Sequence, residues 1–313
     1  MTDLVAIFPG QGAQSLGMCS DLATKYSVVK ETFEEASDAI SQDLWQLVTE
    51  GPVELLNLTE NTQPALLAAS ISCWRVFQSL FGDNVQFTLG AGHSLGEYSA
   101  LVAAGAITFG DASRLVKKRG LLMEAAVPDN RGGMAAILGL SKEDIGEVCE
   151  RAHQFGVVEA ANYNAPGQVV ISGEQVAIEQ AITIAKELGA KRAMPLTVSG
   201  PFHSSLMKAA ADEFADELNK IKWNSPAFNV IHNATNQTAD VNSIGTVLVQ
   251  QLYSPVDWCG AIEQITEQTQ TKNLIEFGPG KVLAGLVKRI DKSLSVYPTQ
   301  DLGAMNALEQ LIQ

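Results

Sequence analysis

Basic residues are scarce in this 313-residue chain: 21 Lys and Arg stand against 35 Asp and Glu, a formal net charge of −14. Nucleic acid favours a basic footprint, so this balance argues against nucleic acid as a partner. The same acidity repels anionic partners at long range, so an anionic substrate needs a local cationic anchor. Cysteine is sparse as well. Cys19, Cys73, Cys149 and Cys259 are scattered, form no CxxC and cluster with no histidine. That fits reduced thiols in a cytoplasmic protein and offers no metal-ligand set. No apolar run nears the roughly 20 residues that cross a bilayer, so no membrane is implied. The opening MTDLVAIFPGQGAQ lacks the basic stretch of a signal peptide. Internal repeats and low-complexity tracts are also missing. With only four histidines, the search for a general base is confined to His93, His153, His203 and His232.

What is present reads as an ordinary globular protein, 46% hydrophobic and 18% charged, and long enough to bury a full core. A strand-like run over 4–8 leads into the Gly-rich loop PGQGAQSLGM. Helical periodicity covers 28–40 and 63–80, and a strand-like run over 85–91 precedes GHSLG. Helices are expected from about 97 to 104 and over 111–125. This alternation predicts an α/β fold with a largely parallel sheet covered on both faces. Residues 128–133, PDNRGG, form a turn-rich break. After it come a strand (134–138), a helix (142–154) and a strand (157–162). The turn 164–167 leads to a strand (168–172), a helix (174–188) and a strand (192–196). A βαββαβ order of this length, about 70 residues, is the split-βαβ pattern of ferredoxin-like units. It suggests a small domain, 128–198, inserted between the two parts of a larger one, 1–127 and 199–313. Beyond 199 a helix is expected over 205–221, a strand over 228–233 and a strand–turn–helix over 274–290.

Gly92-His93-Ser94-Leu95-Gly96 fits G-x-S-x-G between a strand and a helix. Flanking glycines let the backbone turn sharply enough to hold a serine hydroxyl out at a strand's end, and the helix beyond presents free N–H groups to an oxyanion. A serine there can equally be a helix N-cap. As a nucleophile it needs a base. His93 sits beside Ser94 on the turn and points away, and His153 lies on a polar helix end. His232 ends an apolar strand and suits either a core or a site. His203, after Ser199-Gly200-Pro201-Phe202, stands where the inserted segment returns to the larger one, which suits a cleft. Asp111, Asp129 and Asp144 lie between Ser94 and His203, but none follows a strand end where a triad acid belongs. A Ser–His dyad is left, or a loop histidine without a role.

The motifs FPGQGAQ (8–14), TQPALLA (62–68), GHSLGEYSAL (92–101), KKRG (117–120), PFHS (201–204), QLYSPVDW (251–258) and EFGPGKVLAGL (276–286) occur in that order. Together, from Val5 to about Arg289, they resemble the malonyl-CoA:acyl carrier protein transacylases of fatty acid synthesis. The resemblance implies a hydrolase-like α/β core with an inserted ferredoxin-like domain, and an acyltransferase that uses no cofactor and no metal. Malonyl-CoA and holo acyl carrier protein would be its partners. It implies Ser94 as the acylated nucleophile and His203 as its base, the imidazole oriented by the backbone carbonyl of Gln251. Oxyanion N–H groups would come from Gln11 and Leu95. Arg119 would pair with the malonyl carboxylate, which suits a planar guanidinium that stays charged in a cleft. Neighbours on a helix point about 100° apart, so Arg119 can face inward while Lys117 and Lys118 face water. Phe202 corresponds to a ring that leaves no room for a branched acyl unit. Met123, one turn beyond Arg119, lines the pocket or packs in the core. Lys191, Arg192, Lys281, Lys288 and Arg289 are candidates for a basic patch that receives an acidic carrier. A serine thioesterase or carboxylesterase, and a non-catalytic scaffold, are the rival readings.

Overall fold

The computed structural model describes residues 1–127 and 131–312. Pro128, Asp129 and Asn130 of the expected break, and Gln313, lie outside the described residues.

Strand β1 (Thr2–Phe8) explains the centre of the fold. Leu4 to Phe8 are completely buried, as a strand covered on both faces requires. Alternate side chains go to opposite faces. Leu4, Ala6 and Phe8 join the core on one side and Val5 and Ile7 the core on the other. β1 pairs in parallel with β2 (Val85–Gly92). Four strands follow: β3 (Gly132–Leu138), β4 (Val158–Ala165), β5 (Gln168–Glu174) and β6 (Arg192–Pro195). Then come β7 (Asn229–His232), β8 (Gln237–Thr238), β9 (Val256–Asp257), β10 (Asn273–Glu276) and β11 (Ser295–Pro298).

They make two sheets. The larger runs β11-β10-β1-β2-β7-β8 and is parallel apart from the β7–β8 pair. The smaller runs β6-β3-β5-β4-β9. Its pairs are antiparallel except β4–β9, where Asn162 faces Val256 and Tyr163 faces Asp257. The fold is therefore mixed α/β with two sheets. The helices Lys142–Ala152 and Gln175–Glu187 cover the smaller sheet over a separate apolar core.

Boundaries shift from the sequence reading in ways the packing explains. The helix expected over 63–80 runs Thr59–Phe81, with Pro64 inside its second turn. The Thr62 hydroxyl bonds the Leu56 and Leu58 carbonyls and holds that first turn. This helix corrects the statement that no segment is long and apolar enough to span a bilayer. Its mean hydropathy reaches 1.2 over the window, but 67% of that window is buried inside the protein, so it is the central core helix. The helix expected over 205–221 splits into a 3-10 turn, Ser205–Met207, and a helix, Lys208–Leu218. β9 was not expected. Two residues show no periodicity, and only the neighbouring β4 edge makes them a strand.

Candidate active site

The turn after β2 is forced by close backbone approach. A Cβ on Gly92 would sit inside the Gly96 carbonyl, and one on Gly96 inside the Phe8 carbonyl. Between them Ser94 takes the left-handed conformation, φ 53°, which costs an L-residue about 1–3 kcal/mol. Asn233, just past β7, offsets that cost from both sides. Its Oδ1 accepts the Ser94 N–H at 2.7 Å and its Nδ2 donates to the Gly92 carbonyl at 2.8 Å. The helix Gly96–Ala103 begins beyond Ser94 and has no side-chain cap. The Ser94 hydroxyl is therefore not an N-cap, and it points away from the helix toward His203.

Ser94 Oγ lies 2.7 Å from His203 Nε2, and His203 Nδ1 lies 2.9 Å from the Gln251 carbonyl. A carbonyl oxygen only accepts, so Nδ1 carries the proton and Nε2 presents its lone pair to the serine O–H. Burial, then the nearby Arg119 charge, pushes the His203 pKa down to about 3. The ring is thus neutral at neutral pH and free to take a proton. The loop holding it is anchored to the smaller sheet, because Ser205 bonds the β4 carboxylate of Glu159 through its N–H (2.7 Å) and its hydroxyl (2.8 Å).

Arg119 is 1% exposed, while Lys117 and Lys118 are half-buried on the helix Phe109–Ala125. Gly120 explains the inward face: its Cα lies so near the Glu60 backbone that the two helices touch without side chains between them. Arg119 Nη1 donates to Gln63 Oε1 at 2.8 Å. Nη2 donates to Gln251 Oε1 at 2.9 Å and to Ser94 Oγ at 3.2 Å. Tyr98 lies under the guanidinium, 5.4 Å from ring centre to Cζ.

These groups open on a cleft of about 210 Å³ between the two sheets. Gln11, Ser94, Leu95, Arg119, Met123, Phe202 and His203 all line it. Among the described residues neither the Gln11 N–H nor the Leu95 N–H has a protein acceptor, whereas the Ser94 N–H is occupied by Asn233. Met123 is buried and its sulfur lies 3.5 Å from Gln63 Nε2, so it serves both pocket wall and core.

The other candidates separate cleanly. His93 bonds Asn164 Oδ1 at 2.8 Å, and burial lowers its pKa. His232 bonds the buried Glu97 carboxylate at 2.7 Å, and His153 is exposed. Asp111 and Asp144 belong to helix N-caps: each donates its backbone N–H to the cap hydroxyl of Thr108 or Ser141, and its carboxylate accepts a hydrogen bond from that hydroxyl. Asp129 lies outside the described residues. Of the five basic candidates, Lys191, Arg192 and Arg289 line one surface depression, Lys288 lines another with Lys292, and Lys281 lines neither. Among the described residues no cluster of three or more His, Cys, Asp or Glu is arranged to hold a metal ion. Sequence reasoning missed Gln63, Glu97, Asn233 and the side chain of Gln251. Glu97 alone left a signal, as a charge inside the otherwise apolar helix segment GEYSALVA.

A mixed α/β protein with a serine on a strand-to-helix turn, paired to a histidine from a distant loop, is the class that this geometry defines. The chain belongs to the acyl transferase domain family, whose model matches residues 5–306. It is 49% identical over 313 residues, the whole of both chains, to the malonyl CoA-acyl carrier protein transacylase of Haemophilus influenzae. An acyl carrier protein S-malonyltransferase from Vibrio cholerae superposes with TM-score 0.93 at 51% identity, over 97% of this chain and 99% of that one. A malonyl-transacylase solved in complex with its type II polyketide synthase acyl-carrier protein superposes with TM-score 0.95 at 49% identity, over 99% and 100% of the two chains.

Proposed function

We propose that the protein transfers a malonyl group from malonyl-CoA to the phosphopantetheine thiol of acyl carrier protein in fatty acid synthesis. The observation that carries this reading is the Ser94–His203–Gln251 chain of hydrogen bonds, with Arg119 donating to the same serine oxygen. Relatives of this activity match end to end. His203 Nε2 takes the Ser94 proton as Oγ attacks the thioester carbon. The tetrahedral oxyanion is received by the Gln11 and Leu95 N–H groups, a kind of donor worth roughly 10²–10³ in rate each. As the intermediate collapses, the carbon–sulfur bond breaks and CoA leaves as thiol with the proton from His203. The carrier thiol then gives a proton to His203 and attacks malonyl-Ser94, and the same steps in reverse regenerate the serine.

Arg119 anchors the free malonyl carboxylate. The Phe202 ring and Met123 bound the acyl pocket, although a steric wall separates one methyl group by only about 1–3 kcal/mol. The hydrolase-like core (1–127 and 199–313) and the inserted ferredoxin-like domain (128–198) belong to the same reading, supported by the element order between β3 and β6. A cytoplasmic location accords with the four free cysteines. Among the described residues no carboxylate bonds His203, whose Nδ1 meets the Gln251 carbonyl instead, and this and the buried arginine weigh against a thioesterase or esterase.

Intact-mass measurement after mixing with malonyl-CoA, with and without holo acyl carrier protein, tests the whole reading. A malonyl adduct on wild type, absent in Ser94→Ala and discharged by the carrier, is expected. CoA release without carrier and without a lasting adduct would mean a hydrolase, and neither adduct nor release would mean a scaffold.

A further inference from the structure

The helix Gly96–Ala103 carries one carboxylate, Glu97, and it is fully buried. Three donors converge on it: His232 Nδ1 at 2.7 Å, Gln251 Nε2 at 2.7 Å and the Asn233 N–H at 3.0 Å. Arg119 is buried as well, yet the acceptors it meets are two amide oxygens and the serine hydroxyl, all neutral. Among the described residues its Nε has no partner. A buried cation without a counter-charge is costly. Here a buried anion stands one amide away. Gln251 turns Oε1 toward Arg119 (2.9 Å) and Nε2 toward Glu97 (2.7 Å), so the negative end of its dipole meets the cation and the positive end meets the anion.

We infer that Glu97 is the remote counter-charge of Arg119, with the Gln251 amide as a spacer that keeps the two from closing into an ion pair. A carboxylate in direct contact would occupy the guanidinium fork bidentately, and a substrate carboxylate would have to displace it. With no carboxylate nearby, only Tyr98 would oppose the effect of burial on the charged guanidinium. Burial does lower the Arg119 pKa, and Tyr98 first and the Glu97 charge second oppose it. At one amide's remove the arginine stays cationic while part of its donor set remains open. Glu97 is thus a positioning residue for substrate choice and touches no reacting atom. This inference rests on the reading of Arg119 as the malonyl anchor.

Glu97→Gln removes the charge with little change of shape. One amide oxygen still accepts from Gln251 and Asn233, and the amide N–H can donate to His232 Nδ1 once that ring takes its other tautomer. The measurement is kcat/KM for loading Ser94 from malonyl-CoA and from acetyl-CoA. The malonyl-to-acetyl ratio is expected to fall about tenfold or more. In Arg119→Ala the further change Glu97→Gln should leave the ratio where it was, since the effect runs through the arginine. A merely structural Glu97 would lower both substrates alike, and an unmoved ratio, or an additive loss in the double variant, overturns the inference. Should Glu97→Gln not fold, Gln251→Met cuts the same amide link and leaves the backbone carbonyl under His203, with the same expected fall. Wild type that never loads malonyl sinks the reading of Arg119 itself, whereas wild type that loads malonyl beside an unmoved ratio in the variant sinks this inference alone.

Discussion

At the scale of single residues, the site balances a cation against a base. His203 is held down to about 3, first by burial and second by Arg119. Removing that charge should let the imidazole pKa rise. In Arg119→Ala the acid limb of acetyl loading is therefore expected to move to higher pH than in wild type, whose limb lies well below the ordinary 6.5 of histidine. A kcat/KM profile for acetyl-CoA between pH 4 and 8 reads the difference, and coincident limbs would mean that the Arg119 charge does not hold the imidazole down. Ser94 left a signal of its own in G-x-S-x-G and His203 one in its place after Gly-Pro, whereas Arg119 was named only through the resemblance that KKRG helps to carry. Gln63, Glu97 and Asn233 were not named. Each matters through a partner 56 to 154 residues away, and nothing local in an asparagine or glutamine announces what it will face.

At the scale of elements, the strand–turn–helix around Ser94 works only because two backbones meet there. Gly96→Ala should push a methyl into the Phe8 carbonyl at the end of β1. The expected cost is about 3 kcal/mol or more in urea unfolding, with loss of Ser94 loading because the elbow must shift. Gly105 offers the contrast. Its φ is positive, 75°, as that of Gly96 is not, but a Cβ there meets open space. Gly105→Ala should cost only the backbone strain, about 1–2 kcal/mol, and keep loading intact. Equal losses at the two sites would mean that the close approach at Gly96 costs no more than the backbone strain at Gly105. Short apolar runs revealed the longer strands, and a 3.6-residue period revealed the amphipathic helices. The two-residue strands β8 and β9 carry no period, and they exist only because β7 and β4 offer them an edge.

At the scale of the whole molecule, a net charge of −14 bears on how the proposed carrier, if acidic, docks. Salt limits the reach of the distant carboxylates to about 8 Å at physiological ionic strength, so contact charges decide docking. Lys191, Arg192 and Arg289 share one depression of about 550 Å³ with the 138–141 and 166–167 turns. Arg192 faces Leu138 across the β3–β6 pair, and Met134, at the other end of β3, lines the cleft. Four strand residues separate these points, about 13 Å, so the cations lie along the smaller sheet from the cleft mouth. The sequence named these cations without sorting them, because Lys288 and Arg289 are neighbours in the chain and line different depressions. Reversing Arg192 and Arg289 to Glu should raise KM for holo acyl carrier protein about tenfold, more at low salt than at high, and leave malonyl loading from CoA unchanged. Lys288→Glu should do less, since its depression faces β11. If the double reversal leaves the carrier KM where it was, the carrier approaches by another face, and the three cations serve only to moderate an acidic surface.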